Sequence, residues 1–149
     1  MAGVTCSTGT ALLSVVEDGK VVDEPVQRVD VASLLEASAE LESTLDELGR
    51  AFAQIKPDLV VLLLPEQYKG TYHEIAPRAA LETLVRLASV RAGIPIDVLP
   101  RATVRARLAL PKKGKLALHV SERFAVPVGK YWSAGRDVAA LAALAGEEA

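Results

Sequence analysis

The segment Asp58–Leu64, reading Asp-Leu-Val-Val-Leu-Leu-Leu, constrains the fold of this chain most strongly. Pro57 and Pro65 bracket it, and its apolar run is much too short to cross a bilayer as a helix. A short, wholly apolar run with β-branched residues marks a strand buried on both faces. Such strands lie in the middle of parallel sheets and need helices above and below.

The following residues supply a helix and a parallel partner. Ala76–Ala92 carries Ala80, Leu81, Leu84, Val85, Leu87 and Ala88, which predicts a helix, and Gly93 ends it. Ile94–Leu99 reads as a second short apolar strand. Residues 58–99 therefore form one βαβ unit with a parallel strand pair.

The chain opens differently. Gly3–Ser7 and Thr10–Val16 are short apolar strands, and Glu17-Asp18-Gly19-Lys20 is a hairpin signal between apolar runs. Lys20–Val29 is the returning strand of an antiparallel β-meander. Ser33 then caps a helix, with Glu36 completing a capping box. Leu34, Leu41, Leu45, Leu48, Phe52 and Ile55 fall on one stripe of that helix, and Glu36, Glu40, Glu42, Asp46 and Glu47 occupy its other faces. Thr103–Leu110, Lys115–Phe124 and Ala134–Ala145 are the closing helices.

The predicted order is β-β-β-α-β-α-β-α-α-α. This is an α/β fold with a mixed five-stranded sheet, helices on both faces, and a single domain over residues 1–149. Only 4% of residues are aromatic although half are hydrophobic, so the core is aliphatic. No Gly-x-Gly-x-x-Gly occurs, and Gly114-Lys115 is followed by Leu116, so no phosphate-binding loop is present. Cys6 is the one cysteine, which excludes an internal disulfide and points to a reducing compartment. With no histidine near it in sequence, it reads as a buried thiol rather than a nucleophile. Residues 1–11 lack the basic start and long apolar run of a signal peptide, so the expectation is a cytoplasmic protein with no membrane role.

That element order resembles the ribonuclease H-like superfamily, and within it the RuvC-type Holliday junction resolvases. Gly3-Val4-Thr5, Thr10–Val16 and the Asp18-Gly19 hairpin are similar to the family's first two strands. Lys56–Val61 is similar to the segment leading into its fourth strand, and Ala92–Ile96 to the approach to its fifth. Lys115–Phe124 and Arg136–Ala142 are similar to its two closing helices. The resemblance spans roughly Gly3 to Ala145 and implies a metal-dependent nuclease. Such nucleases hold divalent ions between carboxylates on strand one, strand four and the last helix, because hard cations take oxygen ligands and two metals stabilise both attacking and leaving oxygens.

Position by position, the strand-one acid falls at Thr5 and the strand-four acid at Leu63; only the closing-helix acid has a match, Asp137. The resemblance therefore implies a module without nuclease activity and without a cofactor. Glu66, three residues beyond Leu63, is the acid that could join Asp137 in a displaced site; magnesium enters only in that alternative. Without such a site, Asp137 is an acid favoured by the helix dipole.

Charge is distributed unevenly. Residues 1–60 carry eleven acids against four bases, whereas residues 101–136 carry nine bases against one acid, Glu122. A basic segment with Tyr131 and Trp132 nearby suits a phosphate backbone and a stacked base. The candidate nucleic-acid contacts are Lys69, Arg105, Arg107, Lys112, Lys113, Lys115, Arg123, Lys130, Trp132 and Arg136, with DNA or RNA as partner. The same charges could instead meet the acidic helix of a second copy, which makes a homodimeric scaffold the competing reading. The polar stretch Pro65–Glu74, with Tyr68, Lys69, Tyr72 and His73, follows the central strand at the sheet end where open α/β folds place their sites.

Overall fold

The computed structural model describes residues 1–31, 38–125 and 128–149. Six strands, β1 (Ala2–Cys6), β2 (Thr10–Glu17), β3 (Lys20–Val22), β4 (Arg28–Asp30), β5 (Val60–Leu63) and β6 (Ile96–Leu99), form one mixed sheet. Its order is β3-β2-β1-β5-β6, with β4 also pairing to β2. The wholly apolar run is indeed central: β5 pairs in parallel with β1 on one side and β6 on the other. β2 runs antiparallel to β1.

The sheet gains its sixth strand because the predicted return, Lys20–Val29, breaks in two. β3 pairs with Val15–Glu17 and β4 with Thr10–Leu12, and the polar Asp23–Gln27 stretch between them contains Pro25, which has no N–H for a ladder. Asp18 and Gly19 turn the hairpin with φ of 51° and 76°, the left-handed pair that a tight two-residue turn requires.

Between and after the strands the described residues form four α-helices: α1 (Ala39–Ile55), α2 (Tyr72–Arg91), α3 (Arg101–Arg107) and α4 (Arg136–Glu147). On one face, Leu48 and Phe52 of α1 and Leu81 and Val85 of α2 bury against Val4, Leu13, Val60 and Leu62. On the other, Leu141 and its alanine neighbours in α4 cover Val16, Val61 and Leu63, joined by Leu116, Phe124 and Trp132. α4 approaches the sheet closely because Gly3 carries no side chain: a Cβ there would stand 1.8 Å from the Ala139 carbonyl oxygen.

Several boundaries differ from expectation. The capping box at Ser33 and Glu36 lies outside the described residues. The α1 stripe fades toward its start, where Leu41 is exposed. α2 begins at Tyr72, so Tyr72, His73 and Glu74 form its first turn rather than a loop; a first turn tolerates polar residues because its N–H groups have no intrahelical partner. The predicted helix Lys115–Phe124 is a 3₁₀ segment over Leu116–Glu122, anchored by buried Leu116 and Val120. No helix among the described residues is long and apolar enough to cross a membrane.

Candidate functional site

The three positions at which the resemblance expects carboxylates converge at one end of the sheet. Thr5 and Leu63 are direct partners in the β1–β5 register, and both are buried. The Thr5 methyl faces Gly135, just before α4, 3.1 Å from where a Cβ on that glycine would stand. Asp137 follows as the second residue of α4. It is 8% exposed, and its Oδ1 accepts the N–H of Val138 at 2.7 Å. Burial pushes its carboxyl pKa up, while backbone N–H bonds and the charge of Arg101 pull the other way.

Arg101 enters this cleft from the first position of α3, directly after β6 and Pro100. Its Nε donates to the Leu64 carbonyl at 3.2 Å. Burial pulls the guanidinium pKa down, as does Arg78; Glu66 and Asp137 are the anions that support its charge. Glu66 is exposed, but its Oε1 lies 3.3 Å from Arg105 Nη2. Arg105 is buried and also donates to the carbonyls of Pro111, at 2.8 Å, and Gly114. Glu66 and Arg105 thus pin the Lys112–Lys115 turn to the end of β5.

Beside this pin lies a cavity of about 1120 Å³, with Glu66, Arg101, Lys112 and Lys115 on its walls and Ala106 and Leu110 among its apolar lining. A smaller cavity of about 310 Å³ continues it toward Ser133, Gly135 and Asp137; the two share Pro65, Glu66, Arg101 and Lys115. The donors do not fit the divalent ions of the resemblance. Thr5 and Leu63 offer no carboxylate, Glu66 is engaged by Arg105, and an arginine stands beside the one acid that remains. Among the described residues no group of three or more His, Cys, Asp or Glu side chains could hold a metal ion.

The other candidates divide by burial. Lys69, Arg107, Lys112, Lys113, Lys115 and Lys130 are exposed. Arg123 is half-buried and holds the Leu108 carbonyl at 3.0 Å and the Glu148 carboxylate. Three of the candidates, Arg105, Arg136 and Trp132, have side chains that serve the interior. Arg105 is spent on the turn described above. Arg136 is 2% exposed and donates to the carbonyls of Leu13, Val128 and Lys130 at 2.8, 3.2 and 2.8 Å. Trp132 packs edge-on against Phe124 in the core, with ring centroids 6.0 Å apart, so no face is free for a base. Tyr131 stays on the surface, with the Arg28 guanidinium 5.1 Å above its ring.

Two features were missed in the sequence. Arg101 counted only as one of nine bases, yet its place immediately after a strand, at the sheet end where sites form, was the available signal. Glu82 is the other: it is buried on α2 and accepts a hydrogen bond from the Tyr68 hydroxyl, with Arg78 Nε 3.7 Å from its second oxygen. An acid among Leu81, Leu84 and Val85 was its signal. Burial pushes the Glu82 carboxyl up and the Tyr68 hydroxyl to about 12. Cys6, on the same side of the sheet, is buried, and its thiol is driven upward by that burial, which leaves it unreactive.

A mixed sheet with an antiparallel β1–β2 hairpin, a parallel β1–β5–β6 centre and helices on both faces is the ribonuclease H-like α/β fold. More narrowly, the fold is that of RuvC. A T. thermophilus RuvC in complex with a Holliday junction substrate superposes with a TM-score of 0.72 at 17% identity, covering 99% of this chain and 91% of that one. A second Thermus thermophilus RuvC structure gives 0.71 at 14% identity, covering 99% and 92%. No family model and no curated protein matches the sequence.

Proposed function

We propose that this chain is a RuvC-like nucleic-acid-binding module of one domain that has lost nuclease activity. The observation that carries the reading is the pairing of Thr5 with Leu63 beside Asp137, in a cleft bordered by lysines and arginines. A two-metal site needs clustered oxygens, and a cleft with Asp137 and a Glu66 already paired to Arg105 does not supply them. The exposed Lys112, Lys113 and Lys115 remain available for phosphates, with Lys69, Arg107 and Lys130 as further contacts. The fold shared with a RuvC whose structure contains a Holliday junction supports DNA as the partner to try first.

Anisotropy with labelled branched, duplex and single-stranded DNA tests the reading. Binding weakens steeply as salt rises, because each neutralised phosphate releases counterions. Lys112→Glu with Lys113→Glu and Lys115→Glu abolishes most of it. Absence of binding at about 50 mM salt, where screening is weak, overturns the proposal. Magnesium- or manganese-dependent cleavage that disappears in Asp137→Asn instead establishes a nuclease using Glu66 and Asp137.

A further inference from the structure

The cleft that fails as a metal site has the composition of an anion site. We propose that Arg101, with Lys115, binds a nucleic-acid phosphate directly in the place where a RuvC-type nuclease would hold its divalent ions, so that recognition there needs no metal. The inference rests on the nucleic-acid reading and names the contact at its centre.

Charge is the first support. Glu66 and Arg105 face each other and largely cancel. What remains around the smaller cavity is Arg101 and Lys115 against Asp137, an excess of one positive charge, and Lys112 adds another along the adjoining wall. A dication entering this cleft meets net repulsion, whereas a phosphate meets net attraction.

Geometry is the second. The Leu64 carbonyl accepts from Nε of Arg101, which fixes the guanidinium at the sheet end; among the described residues its two terminal nitrogens make no hydrogen bond. A planar fork so anchored suits two phosphate oxygens. The arginine is half-buried between two connected cavities, so the charge is partly desolvated and its attraction less screened than that of the surface lysines. Asp137 then has a role without metal: its carboxylate supports the guanidinium charge while the site is empty. Ser133, also on the cavity wall, adds a hydroxyl donor.

The test measures inorganic phosphate and DNA separately, each in EDTA and again with excess magnesium, on the full chain. Phosphate titrated into ¹⁵N-labelled protein shifts the Arg101 Nε–H and the amides of residues 133–138. Arg101→Gln weakens phosphate binding about tenfold, as loss of a charge-assisted contact does, and Arg101→Lys restores part of it. Asp137→Asn decides the sign: removing a negative charge strengthens phosphate binding at an anion site and abolishes any metal-dependent binding. Thermal melts verify that each variant is folded. Phosphate shifts that require magnesium, or an Arg101→Gln variant that binds phosphate as wild type does, overturn the inference. If phosphate binds as described while no DNA does, the anion site stands and the nucleic-acid reading fails.

Discussion

Thr5 and Leu63 lie opposite each other on the two central parallel strands, and neither offers a carboxylate to a hard cation. The pair places a methyl-bearing hydroxyl residue and a fully buried leucine where the resemblance expects two carboxylates. Millimolar magnesium or manganese therefore leaves the melting temperature unchanged. A ligand binding only the folded state at a hundred times its Kd would add about 2.7 kcal/mol, which differential scanning fluorimetry registers as a rise of several degrees. A rise of that size on adding either metal contradicts the reading of the cleft.

The close approach of α4 to β1 gives a second expectation. Any side chain at Gly3 collides with backbone, the Ala139 carbonyl, and backbone cannot swing aside as a flexible side chain can. Gly3→Ala costs about 2 kcal/mol or more through overpacking, read from urea denaturation. Gly49, on α1, has open space where its Cβ would stand, so Gly49→Ala is the control. Its helical position makes that change neutral to mildly stabilising, by up to about 1 kcal/mol.

Much of this architecture was legible because burial leaves a compositional trace. Val60–Leu63 announces itself by having no polar residue, and Asp18-Gly19 by the left-handed backbone it must adopt. The two short strands β3 and β4 were not separable, since a single proline in a polar stretch does not say whether pairing resumes afterwards. The site was read less well. Positive charge in residues 101–136 was visible, but a linear sequence does not distinguish a lysine facing water from an arginine feeding backbone carbonyls. Arg105, Arg123 and Arg136 do the latter, and the exposed lysines of the Pro111–Lys115 turn do the former. Arginine's five donors suit it to that interior task, and lysine's compact charge keeps it in solvent.

Glu82 makes stability depend on pH in a stated direction. Burial raises its folded-state pKa above the ordinary 4.5, so its contribution is fully present below that value and is lost as pH rises through the folded pKa. Glu82→Gln, which keeps an oxygen for the Tyr68 hydroxyl, is more stable than wild type at pH 7 and loses that advantage near pH 4. Tyr68→Phe acts oppositely at pH 7, because it removes the hydrogen bond that favours the charged carboxylate. Denaturation midpoints across this range check both, and equal pH profiles for wild type and Glu82→Gln would exclude Glu82 as the source.

Arg136 separates structure from binding most sharply. Its guanidinium ties the Leu13 carbonyl of β2 to the carbonyls of Val128 and Lys130, and its own carbonyl accepts the Ser14 hydroxyl at 2.7 Å. Burial lowers its pKa, so the charge is held at a desolvation cost that the three carbonyls offset. Arg136→Met leaves those carbonyls without their donor and costs about 3–5 kcal/mol, the range for breaking a buried charged network. Arg136→Lys keeps the charge, cannot span three acceptors, and falls between. Neither change touches the exposed lysines proposed to meet phosphate. At a temperature where Arg136→Lys is fully folded, its DNA affinity and the slope of that affinity against salt equal those of wild type, whereas removing Lys113 lowers the slope by about one. An Arg136→Lys variant that is folded yet shows the lysine-like loss of slope would place this arginine in the interface after all.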